Sequence, residues 1–489
     1  MSILFPFQGL KTETEILNED IIQNADNYMD NLQFLKHEID KWKQSEKRQM
    51  MIDGERYYEG YQDMLTDDRT FIGEGGRAQV AHNLPNAKII DNQYAKLVDQ
   101  KVNYQVGKPF TIDTENDEYQ KELEWILDKR FKRTLKDVTQ SSMNMGLSWV
   151  YVYYNQRGEL SFKRIPAYQI IPFYNEEDEN ELDYAIRVYT VTEYTGQSEE
   201  EVEKVELYTK EGIFYYINAA SDLIVDVTKQ PTSYININMN DTSVGYNWEK
   251  IPLIPFRFNS KEIPLIQRVK SLQDAINKLI STFQNNMLED SRNTILVIHN
   301  YDGEDLGEFR RNLATFGAVK VRSGGDARGG IDTLEVKVNS QNYESILKIL
   351  KTALIENGRG FDAKDDRMSN NPNQMNIQSM YSDIELDANG IDTEYQAAFD
   401  ELLWFIDTHI KNTTGHDYSK ENVEIVFNHD MLNNESEIID NIMKSEILST
   451  ETKLSMHPYV RDPKLEMQRK KDEEREYLNS MNPYQDGNE

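Results

Sequence analysis

Hydrophobic positions repeat most regularly in the segment 251–411, which predicts three helices separated by a small insert and a polar loop. Pro252 and Pro255 hold the start of this segment extended, and Pro264 suits the first turn of a helix. Apolar residues then recur at alternating three- and four-residue steps, which predicts a narrow seam along a rod about 35 Å long. The seam consists of Leu265, Val269, Leu272, Ile276, Leu279 and Phe283, followed by Met287. The other faces are predicted to contact water through Lys270, Gln273, Asp274, Asn277, Lys278, Gln284 and Asn285.

The pattern changes after this first helix. Short β-branched runs at 294–300, 318–323 and 331–338 predict strands, and residues 304–316 have helical spacing. Residues 293–338 are therefore predicted to form a small α/β insert.

Helical periodicity returns after the insert. A second amphipathic helix is predicted to stop at Gly358. Residues 361–373 have no apolar period and many charged and amide side chains, which predicts a loop. A long third helix is predicted from residue 374 through Ile406, with Gly390 as a kink or weak point. The apolar positions of the second helix are Tyr343, Ile346, Leu347, Leu350 and Leu354.

The flanking regions complete a helix-rich α+β chain of several domains. Residues 1–145 have mainly helical patterns, whereas 149–227 alternate with period two and predict a β-rich meander. The acidic run 176–183 is predicted to be an exposed tip of that meander. Residues 416–479 predict a short strand and charged helices, and the tail 480–489 is predicted to fray.

Composition narrows the function classes. A chain of 489 residues with 38% apolar residues can bury large cores, and the absence of cysteine excludes disulfides and thiolate metal sites. The net charge of −31 argues against a protein that grips nucleic acid over its whole surface, because phosphate neutralisation requires clustered Lys and Arg. No apolar run is long enough for a membrane span, and no secretion signal is expected at the N-terminus.

No enzyme signature is found among the titratable residues. The seven histidines form no HExxH pattern, and no GxSxG motif accompanies them. An acidic chain contains many accidental carboxylate pairs, so Asp365 with Asp366 is weak support for a carboxylate-dependent hydrolase or nuclease. That enzyme class and a scaffold or adaptor protein of another assembly are the two alternatives to the interpretation that follows.

Three stretches in a fixed order carry a resemblance to a known family. They are VAHNLPNAKIIDNQYAKLVDQKVNYQVGKPF at 80–110, IPLIPFRFN with the helix LIQRVKSLQDAINKLISTFQNNMLED at 251–290, and LSTETKLSMHPYVRDPKLEMQRKKDEE at 448–474. Together with the order of elements, they resemble the portal proteins of tailed bacteriophages, in the siphophage branch that infects Gram-positive bacteria. The resemblance covers most of the chain.

The resemblance implies a phage portal fold that assembles into a dodecameric ring. Its regions would be a wing at 1–250, a first stem helix at 251–292, a clip at 293–338, a second stem helix at 339–358, a tunnel loop at 359–373, a long kinked wing helix at 374–415, a crown at 416–479 and a disordered tail at 480–489.

The resemblance also implies a structural rather than an enzymatic function, without cofactor or metal. The ring would sit at one capsid vertex of the virion after assembly in the host cytoplasm, and double-stranded DNA would pass through it during packaging and ejection. Its expected partners are the terminase large subunit, a head-completion or adaptor protein, and the major capsid and scaffolding proteins, with no membrane.

Three groups of residues acquire roles from the resemblance. The seam named above would pack neighbouring subunits. The clip would dock the terminase and later the adaptor through a basic island that consists of Arg310, Arg311, Lys320, Arg322 and Arg328. The alternative interpretation of this island is ordinary solvated charge on a small domain. The tunnel loop would line the DNA channel with Asp362, Lys364, Asp365, Asp366, Arg367, Asn370 and Asn371. The alternative interpretation of this segment is a disordered connection between two helices.

Overall fold

Helices and strands follow one another in blocks, as the periodicities predict. The computed structural model describes residues 32–72, 76–81, 84–175, 181–196, 198–219, 222–239, 242–290, 295–299, 330–334, 340–362, 374–429, 435–445, 447–457, 459–460, 466–473 and 475. Within them the fold is a helix-rich α+β arrangement built around three helices at 266–414.

Five helices form most of the N-terminal region. They are α1 (Leu32–Gln44), α2 (Glu46–Tyr58), α3 (Gln93–Val106), α4 (Asp117–Ile126) and α5 (Lys129–Met145). Polar N-caps begin several of them: the side chain of Ser45 accepts from the backbone of Arg48, and that of Asp128 accepts from the backbone of Arg130. α5 ends where Gly146 adopts φ +84°, a conformation that disfavours residues with a Cβ.

Short strands connect or extend these helices. They are β1 (Thr70–Ile72), β2 (Ala78–Val80), β3 (Thr111–Asp113), β4 (Leu147–Tyr154), β5 (Leu160–Pro166), β6 (Ile170–Tyr174), β7 (Leu182–Thr195), β8 (Ser198–Thr209), β9 (Gly212–Asn218), β10 (Leu223–Val225), β11 (Ile235–Met239), β12 (Thr242–Tyr246) and β13 (Leu253–Arg257).

The β-rich meander is confirmed as two antiparallel sheets. One has the order β10-β9-β8-β7-β6, and the other has the order β13-β4-β5. β13 contains the predicted extended segment, and it pairs with β4 so that Pro255 lies opposite Trp149. The sheet therefore includes residues just before the first long helix and connects that helix to the N-terminal core.

The predicted rod and long helix are present in order, and two strands of the insert are described, whereas its predicted helix at 304–316 and strand at 318–323 lie outside the described residues. They comprise α6 (Ile266–Asp290), β14 (Ile295–His299), β15 (Gly330–Leu334), α7 (Ser340–Asn357) and α8 (Gln374–Thr414). β14 and β15 are antiparallel partners. The chain continues with β16 (Glu424–Val426), which pairs with β3, and with α9 (Glu435–Lys444) and α10 (Thr450–Ser455).

The main core lies where the second half of α8 meets the N-terminal helices and β13. Phe256 packs edge-on against Tyr395, with ring centroids 5.1 Å apart, and also against Phe399 at 5.7 Å. Phe131 of α5 reaches the same Phe399 ring. Helix α8 is continuous across Gly390, and a Cβ at that residue would meet no other atom within 4 Å. The predicted kink there stays a prediction.

One prediction about α6 was wrong. Gln273, Asn277 and Asn285 were assigned to the face in contact with water, yet their exposed fractions are 0%, 0% and 7%. Together with Ser281 they form a polar ladder, one residue per helical turn, against residues 87–94, which lead into the first turn of α3.

The ladder supplies acceptors for a segment that has no strand partner. The backbone N–H groups of Ala87, Ile89, Asp91 and Tyr94 donate to Asn285, Ser281, Asn277 and Gln273, at 2.7, 3.0, 3.0 and 3.0 Å. Four helical residues rise about 6 Å and two extended residues about 6.6 Å, so the two repeats stay in register from Ala87 to Asp91, and Tyr94 follows in the first turn of α3. Buried amide side chains are tolerated here because the backbone groups they face are satisfied at the same time.

Candidate functional site: the anchored base of the 363–373 segment

The second long helix ends where the chain passes closely over α3. A Cβ at Gly358 would lie 2.3 Å from Leu97 Cδ2, and one at Gly360 would lie 2.5 Å from Leu97 Cδ1. Between them Arg359 adopts φ +51°, which turns the chain out of the helix. The predicted helix end at Gly358 is confirmed, and a side chain at either glycine would have to displace the buried side chain of Leu97.

Gln100 of α3 then holds the chain through both the nitrogen and the oxygen of its side-chain amide. Its Nε2 donates to the carbonyl oxygen of Phe361 at 2.8 Å, and its Oε1 accepts from the N–H of the same residue at 3.0 Å. Phe361 also stacks on Tyr381 of α8, with ring centroids 4.6 Å apart. The segment 363–373 therefore leaves from a backbone position that is fixed to two helices.

A buried carboxylate lies directly beneath this attachment. Asp387 of α8 contacts Lys101 Nζ at 2.9 Å, Arg268 Nη1 at 2.7 Å and Arg359 Nη1 at 2.8 Å. Lys101 Nζ also donates to the carbonyl oxygen of Arg359 at 2.9 Å. We call these four residues the Asp387 cluster; they join α3, α6, the end of α7 and α8 at one point.

The charges in the Asp387 cluster shift two pKa values. Burial would raise the pKa of Asp387, but Lys101 and Arg268 outweigh it, so the net shift is downward. Burial lowers the pKa of Lys101 to about 8, although Asp387 opposes that change. The cluster carries more positive than negative charge, and the exposed fractions of 31% for Arg268 and 49% for Arg359 show that water stabilises the excess.

Aromatic contacts continue from this point toward β16. Tyr104 lies 5.7 Å from the ring of Tyr381 and stacks on His429 at 5.0 Å. His429 in turn lies 3.2 Å from Asp392 of α8. The base of the segment is thus connected to residues on both sides of the long helix.

The structure places only part of each predicted residue group. In the tunnel loop Asp362 is described and half-buried, whereas Lys364, Asp365, Asp366, Arg367, Asn370 and Asn371 lie outside the described residues. The predicted clip residues Arg310, Arg311, Lys320, Arg322 and Arg328 also lie outside them.

The seam is covered unevenly by its own chain. Leu265, Val269 and Ile276 have exposed fractions of 0%, while Leu272, Leu279 and Phe283 are half-buried. Phe283 contacts Tyr343 of α7, with ring centroids 4.7 Å apart. Packing between subunits through the seam stays a prediction, and it is open to direct contact only at the half-buried positions.

The sequence contained a signal for the Asp387 cluster, namely two charged residues inside apolar helix stripes, which the prediction of helices from periodicity did not use. Lys101 lies in the apolar stripe of α3, between Leu97 and Val102, and Asp387 lies in that of α8, between Ile384 and Ile391. A charge within an apolar stripe indicates a buried partner of opposite sign. Which residue is that partner depends on how the helices pack.

An open cleft of about 1420 Å³ lies elsewhere, beside the C-terminal half of α8. Two of its titratable groups contact tyrosine hydroxyls: Tyr119 donates to Asp407 at 2.6 Å, and Tyr154 lies 2.9 Å from His409 Nδ1. Burial raises the pKa of Asp407 and lowers that of His409. Among the residues that the structure describes, no three His, Asp or Glu side chains are grouped as metal ligands.

Comparison with known proteins identifies the family. Residues 36–479 match the family described as "Phage portal protein, SPP1 Gp6-like". The chain belongs to this family of phage portal proteins. It is 26% identical over 476 residues to the portal protein of Bacillus phage SPP1, covering 96% of this chain and 91% of that protein. It is 26% identical over 429 residues to the portal protein of Clostridium phage phiCD119, covering 85% and 90% respectively.

The family match confirms the resemblance seen in the sequence. Both relatives are portal proteins of phages that infect Gram-positive bacteria, and their alignments span most of this chain. The protein therefore has a phage portal function, with the capsid and DNA-packaging roles that follow from it, and neither alternative is favoured. In the described part of the chain, no helix is both long and apolar enough to cross a membrane.

Proposed function

We propose that this chain is the subunit of a dodecameric ring through which the genome enters the capsid and later leaves. The observation that carries the proposal is the family match over residues 36–479. In this proposal α6 and α7 form the stem, residues 293–338 form the clip, and the wing and crown comprise the regions before and after the stem. The subunit is structural, and ATP hydrolysis belongs to the terminase large subunit.

Residues 359–373 are proposed to line the narrowest part of the channel. Support comes from their base, because Gln100 and the Asp387 cluster hold residues 359–361 on rigid helices while the following residues carry both charge signs. Lys364 and Arg367 contact phosphates transiently, whereas Asp362, Asp365 and Asp366 prevent lasting attachment. DNA is guided without being bound tightly.

The insert at 293–338 is proposed to dock the terminase and then a head-completion or adaptor protein. Its five basic residues stand out in a chain with a net charge of −31, which favours an electrostatic contact with a partner. Major capsid and scaffolding proteins would contact the wing, at the capsid vertex, during assembly in the host cytoplasm.

The experiment that tests the ring is native mass measurement with electron microscopy of the purified chain at moderate and high salt. Closed rings with a central hole are expected. Monomers and dimers at every concentration, with and without scaffolding protein, would contradict a ring.

The channel is tested by replacing Asp365 and Asp366 with lysine. Salt-sensitive retention of DNA in the ring should rise, because the loop gains positive charge. The matched control changes Glu59 and Glu124, which are exposed on other surfaces, to lysine. Equal retention in both variants would contradict a channel location for the loop.

A further inference from the structure

Helix α5 carries the densest run of basic residues among those that the structure describes well enough to give exposure. Lys129, Lys132, Arg133 and Lys136 follow one another at steps of three, one and three residues, so they share one face of the helix. All four are exposed, and residues 129–136 contain no acidic residue. We call these four residues the basic stripe.

No described carboxylate pairs directly with this stripe, although Asp128 and Asp137 flank it in sequence. Lys132 lies over the ring of Phe110 at 5.4 Å, and Lys136 donates to Asn103 Oδ1 at 2.9 Å, so both are positioned by uncharged groups. Within the described ranges, none of the four makes an ion pair. The neighbouring Arg130 reaches two carboxylates only at 3.7 and 3.8 Å while 76% exposed.

A surface of opposite sign projects from the five-stranded sheet. β6 pairs with β7 only as far as Arg187, and β9 pairs with β8 only from Lys204 onward. In the described structure, residues 188–195 and 198–203 therefore form the two arms of a ribbon that pair only with each other, about 25 Å long at the usual strand rise. We call its outer end, with Glu199, Glu200 and Glu201, the acidic tip.

The acidic tip is also left without cations. Its three glutamates are exposed, and in the part of the chain that the structure describes they make no ion pair. Glu200 lies directly opposite Glu193, a like-charge pair that destabilises a ribbon. Glu193 is compensated by Lys204 at 2.7 Å. Two-stranded ribbons gain little stability from their own pairing, so a partner with positive charge would stabilise this one.

The two surfaces match in spacing as well as in sign. Glu199 and Glu201 lie on one face of the ribbon, about 6.8 Å apart along the strand. Lys129 and Arg133, like Lys132 and Lys136, are one helical turn apart, about 6 Å. Alternate residues of a strand can thus meet successive turns of a helix, as they do in the polar ladder on α6.

We propose that the basic stripe of one subunit binds the acidic tip of the adjacent subunit. The proposal rests on the proposed function, in that it supplies a contact for the ring. Because two different surfaces of the same chain meet, the contact is head-to-tail, and such contacts form a ring when the rotation between subunits closes. A second copy is favoured over nucleic acid as the occupant because the chain itself supplies a complementary surface that is otherwise unpaired.

Two charge-reversed chains test the contact. The first, K132E/R133E, leaves the stripe with two basic and two acidic side chains and therefore without net charge, and the second, E199K/E201K, gives a basic tip beside a basic stripe. Each alone is expected to lose rings at moderate salt, because every contact loses its net attraction in the first variant and becomes repulsive in the second. Mixed in equal amounts they are expected to form rings of strictly alternating subunits, so native mass spectrometry should show equal copies of each. A single chain with all four substitutions should also recover rings.

The control is K163E/K420E, which makes the same charge change as K132E/R133E at exposed lysines outside both surfaces. It should form rings like the wild type. Circular dichroism of each variant checks that the subunit is folded.

Three results would overturn the proposed contact while leaving the portal function intact, provided that the wild type forms rings. One is ring formation by both single-surface variants at the wild-type level. Another is failure of the mixture and of the four-substitution chain to recover rings. The third is reduced binding of duplex DNA by K132E/R133E with unchanged rings, which would assign the stripe to nucleic acid. A wild-type chain that never forms rings would instead contradict both proposals.

Discussion

Replacing Asp387 by asparagine is expected to release the base of the 363–373 segment. The substitution keeps the size of the side chain and removes the only negative charge of the Asp387 cluster. Lys101, which is 2% exposed, then lies buried beside two guanidinium groups without its carboxylate partner. Removal of one partner from a buried ion pair costs about 3–5 kcal/mol. We expect the lower end, about 3 kcal/mol, because Arg268 and Arg359 are partly solvated and their pairs contribute less.

Lys101→Met is the matched variant, and it should cost only about 1 kcal/mol, because the chain retains two guanidinium groups at Asp387. The two variants differ in their cost because Asp387 has three cationic partners in the cluster, whereas Lys101 has a single carboxylate partner there. Combining them should restore much of the stability lost in D387N, because the buried cation that lacked a partner is gone.

Hydrogen exchange measures this effect locally, without assuming that the chain unfolds in one step. A loss of about 3 kcal/mol should speed exchange in α8 around Asp387 and at residues 359–362 by about a hundredfold. Peptides from β7 and β8 serve as the internal reference and should not change. Equal acceleration in D387N and K101M, or none in either, would refute the assignment of Asp387 as the central charge.

Three further predictions concern the same helices. Asn277→Ala should lower the free energy of unfolding by about 1–3 kcal/mol, because it leaves the backbone N–H of Asp91 without its acceptor. The control, Gln284→Ala on the exposed side of the same helix, should change it by less than about 0.5 kcal/mol. Gly390→Ala should raise the stability of α8 by about 1 kcal/mol, because the added Cβ meets no atom; a loss measured by thermal unfolding would indicate a bent helix that needs glycine. The pKa of Lys101 is about 8 in the folded chain and higher in the unfolded one, so the unfolded chain binds more protons above pH 8. The free energy of unfolding of the wild type relative to K101M should therefore rise from pH 8 to 10. A fall of this difference in urea titrations would contradict a lowered pKa.

Much of the architecture was encoded in local periodicity. The apolar steps of α6, α7 and α8, the glycines after α7 and the prolines of β13 each report a preference that acts within a few residues. Helix and strand boundaries follow because backbone geometry and one-sided burial are properties of the segment itself. The order of these elements, with three characteristic stretches, was also sufficient to indicate the portal family.

The polar positions were decided by the tertiary structure. Gln273, Asn277 and Asn285 resemble the exposed Gln284 in sequence, yet the first three are buried because the distant segment 87–94 needs acceptors. In the same way, Lys101 and Asp387 are tolerated inside apolar stripes only because helices far apart in the chain bring them within hydrogen-bonding distance.

The reason is that periodicity records how often a helix face avoids water, not what replaces water on the other faces. An amide or a charge can be satisfied by solvent or by a partner hundreds of residues away, and both cases leave the same local pattern. The same holds for the basic stripe of α5 and the acidic tip of β7 and β8. The sequence contains both groups of charges, but only the folded subunit shows that neither group is neutralised within the described chain. Local preferences thus determined the elements, and long-range packing determined which polar residues became structural.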